Sequence, residues 1–150
     1  MSDLWEELNN SVPSYLETLI INHQLQVVKL NSIKTALVSK EYALIISMDR
    51  FYVDVDYITV DDRKKMVKYP ISNFLAEKYD EKDRVDLIKE NTAREIIINN
   101  LIVINQGLQN KWRTILLGEK DWIIRFKQSK WFSELDIQDD EKILGSIMCN

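Results

Sequence analysis

The best-defined arrangement of reactive side chains in the sequence is Asp54-Val55-Asp56, within the run from Phe51 to Val60. Apolar and polar residues alternate there as in a half-buried strand. Phe51, Val53, Val55 and Tyr57 take the buried face, and Tyr52, Asp54 and Asp56 take the other. Two carboxylates two residues apart on a strand project from one face, roughly 7 Å apart at the backbone. With Asp49 before them and Asp61 and Asp62 after, they are able to hold a hard cation such as Mg²⁺, or to act as a paired acid and base. A solvated outer sheet face accounts for the same residues without chemistry, and no further ligands are specified to complete a metal site. A third reading makes this face a negative docking surface for a basic protein.

Other chemistries find less support. His23 is the single histidine, which rules out a multi-histidine cage or a two-histidine relay. At the end of a predicted helix it reads as a packing or capping residue. Cys149, the single cysteine, has no partner for an intramolecular disulfide and nothing nearby to depress its pKa, so a reducing compartment is the simplest setting. No phosphate-binding glycine loop, nucleophile elbow or paired-cysteine motif is present in the sequence. No catalytic residue, cofactor or metal-ligand set is therefore assigned. Arg63, Lys64, Lys65 and Lys68 make a short basic run, but it adjoins two aspartates and lacks interleaved aromatics. A net charge of −4 argues against nucleic acid and suits a basic protein partner. Trp112, Trp122 and Phe126 fall at helical spacing and read as core. Trp131, between Lys130 and Phe132, is the candidate exposed aromatic. The expected partner-binding set is Tyr52, Asp54, Asp56, Asp61, Asp62 and Trp131, with the acidic stretch 134–141 beside the tryptophan.

The elements that position these residues follow from periodicity. Residues 91–117 read as one long helix with Ala93, Ile97, Leu101, Ile104, Leu108, Trp112 and Leu116 on one face. Ile96, Ile98, Ile102 and Val103 widen the stripe, so this helix is packed on more than one side. Thr92 and Glu95 fit a capping box and Gly118 a left-handed terminus, and the helix is either a straight central strut or bends at Gly107. Residues 2–23 read as helices. Four strand-like runs, 24–30, 33–39, 42–48 and 51–60, are joined by Asn31-Ser32, by polar residues and by Asp49-Arg50. A charged loop follows. Ser72 then caps a short helix with Phe74, Leu75 and Tyr79 inward, and Asp83 caps another carrying Val85, Leu87 and Ile88. A further helix is expected at 121–129, and a last apolar piece at Ile143–Met148. The class is α+β: an antiparallel β-meander over about 24–60, flanked by N-terminal helices and a C-terminal helical part with one long central helix over about 91–117. The length suits a single domain that buries ~70 % of its unfolded surface. No run approaches the ~20 apolar residues of a membrane span, and the acidic start lacks a signal pattern, so the expected setting is soluble and cytoplasmic.

The run YALIISMDRFYVDVDYI, then YPISNFLAEKYDEKDR, then the helix ending ILLGEKDWIIRF, resembles the small immunity-type proteins of bacterial polymorphic-toxin and contact-dependent inhibition systems. The resemblance covers most of residues 24–126 and rests on the order and texture of elements. It contains no catalytic signature and transfers no functional residue. It implies a cytoplasmic protein without enzymatic activity that binds one cognate toxin domain, often a nuclease, and occludes its active site. Two other classes stay open: a metal-dependent enzyme using Asp54 and Asp56, and a structural or regulatory oligomer of mobile-element origin that associates through its C-terminal apolar segment.

Overall fold

A computed structural model describes residues 2–148 of the chain. Among the described residues five strands run in sequence order as an antiparallel meander: β1 (Gln26–Asn31), β2 (Lys34–Val38), β3 (Ala43–Asp49), β4 (Tyr52–Val60) and β5 (Met66–Pro70). The pairing Leu37↔Leu44 and Leu44↔Tyr57 places one row of side chains on the first face, and Ala36↔Ile45 with Ile45↔Asp56 places the alternate row on the second. The fifth strand was not foreseen. Its centre, Val67-Lys68-Tyr69, is buried although its start lies in the charged run, and the Asp61–Lys65 turn folds it back onto β4.

The first sheet face carries the main core. Leu8, Val12 and Leu19 from α1 (Ser2–Asn10), α2 (Val12–Tyr15) and α3 (Glu17–Asn22), with Leu16 between the last two, join Leu37, Leu44, Ile46, Val55 and Tyr57 there. The long helix α5 (Ala93–Lys111) lays Ile97, Leu101, Ile104 and Leu108 into the same core at steps of three and four. It is shorter than the sequence suggests. Trp112 leaves the helical region at φ −129° and ψ 35°, and a separate turn, α6 (Arg113–Leu116), follows. Trp112 is fixed there because its buried indole donates to the Leu75 carbonyl at 3.0 Å. Gly118, at φ +83°, then accepts the left-handed conformation expected of it. Its N–H reaches the Ile115 carbonyl and that of Glu119 reaches Thr114, which is the Schellman arrangement. Helix α5 runs unbroken through Gly107. The glycine gives room to Tyr79, whose ring would stand 2.2 Å from a Cβ at that position.

Other local expectations change for identifiable reasons. Thr92 does precede α5, but its hydroxyl bonds the Glu95 carboxylate and caps no backbone N–H. Ser72 opens α4 (Ser72–Ala76) without capping it, because its hydroxyl bonds the Val55 backbone of β4. Asp83 starts no helix. It closes a single turn, Glu81–Asp83, whose capping partner is Asp80, and the pair is held by Lys111 at the end of α5. Residues 84–91 form neither helix nor strand, with Asp86 at φ 62° and Val85, Leu87 and Ile88 exposed. The Asn99 amide both accepts from and donates to the Ile88 backbone, and Gln106 donates to the Val85 carbonyl. Side chains of α5 thus supply bonds that a helix would have made internally. Phe51 sits in the β3–β4 turn and is exposed rather than buried, since Arg50 takes φ 56° and β4 begins at Tyr52.

Helix α7 (Trp122–Gln128) buries Trp122 and Phe126, and the Trp122 ring meets Tyr57 edge-on at 4.7 Å. The chain then crosses to the second sheet face. Leu135 donates its N–H to the Lys68 carbonyl on β5. Helix α8 (Ile143–Met148) packs Leu144 and Met148 against Ala36, Val38, Ala43, Ile45 and Ile58. The C-terminal apolar segment therefore seals its own sheet. No helix among the described residues is long and apolar enough to cross a membrane.

Candidate partner-binding site

Strand β4 passes from sealed to open along its own length. On the second face Ile58 is fully buried beneath α8, Asp56 is largely covered, Asp54 is exposed, and Tyr52 is 67 % exposed. The face expected to be wet throughout is wet only at the Tyr52 end. The reason is the strap of residues 133–148, whose acidic turn meets two lysines of the sheet.

Glu141 is the centre of that closure. Its fully buried carboxylate stands 2.8 Å from the Lys68 ammonium and 2.9 Å from that of Lys34, and it also accepts the Gln138 backbone N–H. Asp140 completes the group with contacts to Lys34 and Asn31. Asp56 lies 3.9 Å from Lys68 at the edge of this cluster. Burial pushes the Asp56 carboxyl up to about 6, with Lys68 opposing and Asp54 and Glu141 adding to the rise. Asp56 therefore belongs to an internal ionic network.

Asp54 stands in unlike surroundings. Ser47 faces it across β3, Asp49 faces Tyr52 one pair further on, and no lysine or arginine pairs with Asp54 among the described residues. Partial burial and the neighbouring Asp49 raise its pKa. Beside it opens a cleft of about 420 Å³ between the end of β4, α4, the 84–91 stretch and α5. Val53, Asp54, Tyr79, Arg84, Glu90 and Asn100 are among its walls. Strand β5 stops pairing at Asp56↔Pro70, and that early departure leaves room for the cleft.

The remaining expected residues lie elsewhere. Asp61 is a turn-former: its carboxylate accepts the backbone N–H groups of Lys65 and Arg63, each at 2.9 Å, and these bonds hold its pKa below the ordinary range. Asp62 is exposed in the same turn, at the far end of β4 from Tyr52. Trp131 is half-buried rather than exposed. Its indole N–H bonds the Glu77 carboxylate, and Lys130 lies over its ring at 4.8 Å. Of the expected set, only Tyr52 and Asp54 line the cleft.

Arg84, Glu90, Asn99 and Asn100 complete the cleft and were not anticipated. The two asparagines did carry a signal, since they interrupt an otherwise apolar stretch of α5. Asn99 holds the 84–91 stretch, and Asn100 bonds the Phe51 carbonyl at 3.4 Å. Among the described residues no three acidic, histidine or cysteine side chains are grouped to hold a metal ion. His23 ends α3, its pKa lowered by burial and by Arg113. Cys149 lies outside the described residues. No protein-family model, curated protein or solved structure matches the chain.

Proposed function

We propose that this chain is an immunity-type binding protein without enzymatic activity, which acts in the cytoplasm by docking a basic toxin domain and occluding its active site. The observation that carries the reading is the exposed acidic end of β4, where Tyr52, Asp54 and Asp49 stand together beside a cleft and neither carboxylate has a salt-bridge partner among the described residues. Toxins that act on nucleic acid hold phosphates in cationic clefts. An acidic strand end fits such a cleft, with the carboxylates steering association and Tyr52 supplying the aromatic anchor. Asp56 and Asp61 have internal partners, so the docking set contracts to Tyr52, Asp54, Asp49 and the cleft walls.

The test is binding of the toxin domain encoded beside this chain to wild type and to an Asp54→Lys, Tyr52→Ala variant. Both positions are exposed, so the variant should keep the wild-type fold. Association at low salt is expected to slow by about tenfold or more, with weaker protection of cells. Unchanged association and unchanged protection would place the docking surface elsewhere.

A further inference from the structure

We infer that the outer edge of β1 pairs with β1 of a second copy of this chain, antiparallel about Val28, so that Val27 and Lys29 of each copy bond the backbone of Lys29 and Val27 of the other. This surface lies at the opposite end of the strand order from β4 and β5, apart from the acidic strand end described above.

The free backbone groups follow from the ladder. In an antiparallel sheet one residue turns both its N–H and its C=O to one neighbouring strand, and the next residue turns both to the other. On the β2 side the Ile33 carbonyl accepts from Met48 and the Ser39 N–H donates to Tyr42, so Thr35 and Leu37 between them also face β3. Ala36 and Val38 therefore face β1, where their partners are Val28 and Gln26. Val27 and Lys29 are left pointing away from the sheet. Both are exposed, and no backbone or side-chain group bonds their N–H or C=O among the described residues. The free run is closed at each end. The Leu25 N–H bonds the Ile20 carbonyl, and the Asn31 carbonyl accepts from the Asn9 amide after the bulge that follows Lys29.

This edge is complementary to itself. With Val28 on the two-fold axis, Val27 lies opposite Lys29 of the second copy, and every outward group finds a partner. Moving the register by two residues either way sets Val27 against Val27 or Lys29 against Lys29. The remaining outward residue then faces Leu25 or Asn31, whose groups are already bonded. On the second face Val28, half-buried against the Ala36 row, meets its own counterpart. On the first face each Lys29 stem lies across the other copy's Val27, which is 38 % exposed. A lysine on an edge ordinarily guards against such pairing. Here Glu6 of α1 stands 3.6 Å from the Lys29 ammonium, so the two copies bring two ion pairs together instead of two bare cations. A basic strand of another protein would find no surplus of acid at this edge.

The test is sedimentation equilibrium and ¹⁵N amide spectra of the full-length protein from micromolar to millimolar concentration. The mass should rise toward that of a dimer, with concentration-dependent shifts centred on the Val27 and Lys29 amides. Val27→Pro removes an N–H without a partner inside the chain, at an outward edge position where proline is tolerated. It should keep the wild-type circular dichroism and weaken association at least about tenfold. Glu6→Lys changes only an exposed side chain of α1 and strips Lys29 of its partner. It should weaken association most at low salt, and it decides the matter if the proline variant does not fold. A chain that stays monomeric at millimolar concentration overturns self-pairing and leaves the edge to a strand of another protein. A dimer whose Val27 and Lys29 amides do not shift, or whose affinity the folded variants leave unchanged, overturns it as well.

Discussion

The ammonium of Lys68 on β5 meets both carboxylate oxygens of Glu141, at 2.8 and 3.0 Å, across a sequence separation of 73 residues. Lys34 approaches the same carboxylate at 2.9 Å from β2, so a single acidic side chain ties two strands to the C-terminal strap. Because both lysines are mostly buried, removing their shared partner leaves two poorly solvated charges. Breaking a buried pair from one side costs about 3–5 kcal/mol.

Glu141→Ala should therefore lower stability by about that amount, read as a shift in the urea midpoint with an unchanged slope. Burial opposes ionisation of Glu141, but bonds from Lys68, the Gln138 N–H and Lys34 outweigh it and hold its pKa below the ordinary value. Its contribution is thus full above the unfolded carboxyl value and disappears as pH falls through the lower native value. Glu141→Gln should flatten that acid limb, which a series of urea titrations at pH values below 5 measures.

Asp56 works in the other direction. Its native pKa of about 6 exceeds the ordinary 3.8, so the native state holds a proton that the unfolded chain has released between those values. Stability from this residue is present below the unfolded pKa and declines as pH rises to about 6. Asp56→Asn should raise the neutral-pH stability by about 1–3 kcal/mol and leave stability at pH 4 nearly unchanged. A variant less stable at pH 7 than wild type would show that the Lys68 attraction exceeds the burial cost.

Gly107 and Tyr79 form a matched pair. Alanine in a helix interior ordinarily gains about 1 kcal/mol over glycine. Here its Cβ would meet three ring atoms at 2.2–2.7 Å, and such overpacking costs about 1–3 kcal/mol. Gly107→Ala should destabilise the wild type yet stabilise a Tyr79→Ala background, a sign reversal that a double-mutant cycle detects.

Asn99 anchors the 84–91 stretch through the Ile88 N–H and carbonyl and through Glu90. Asn99→Ala should free that stretch while α5 stays folded. Trypsin cleavage after Arg84 or Lys89 is expected to accelerate roughly tenfold, for about 1.4 kcal/mol of lost anchoring. Cleavage at the wild-type rate would show that Gln106 and packing suffice.

Much of this architecture is written in periodicity. The apolar run of β3, buried on both faces, the alternation at the start of β4 and the steps of three and four in α5 appear where the structure has them, because each pattern records which faces pack on a core. The α+β arrangement followed from the segregation of helices and strands. What failed depended on distant partners. Lys68 reads as a loop cation until Glu141 arrives from the far end of the chain, and that same arrival converts Asp56 from a surface residue to an interior one. Val85, Leu87 and Ile88 read as a helical stripe until the Asn99 amide offers their backbone another set of bonds. At the candidate site, Tyr52 and Asp54 were legible from strand alternation. The opposing wall with Arg84 and Glu90 was not, since no local pattern records which irregular stretch will face a strand end.

The strap also sets an order of events during synthesis. Residues 133–148 leave the ribosome after the whole meander, so Ala36, Val38, Ala43, Ile45 and Ile58 wait uncovered through translation of the helices between. A nascent sheet with one bare apolar face is a substrate for chaperones and a hazard for pairing with other chains. During that interval Lys34 and Lys68 remain solvated on the same face and keep it from being uniformly greasy. The two lysines that later become an internal ion cluster thus serve first as gatekeepers of an unfinished protein.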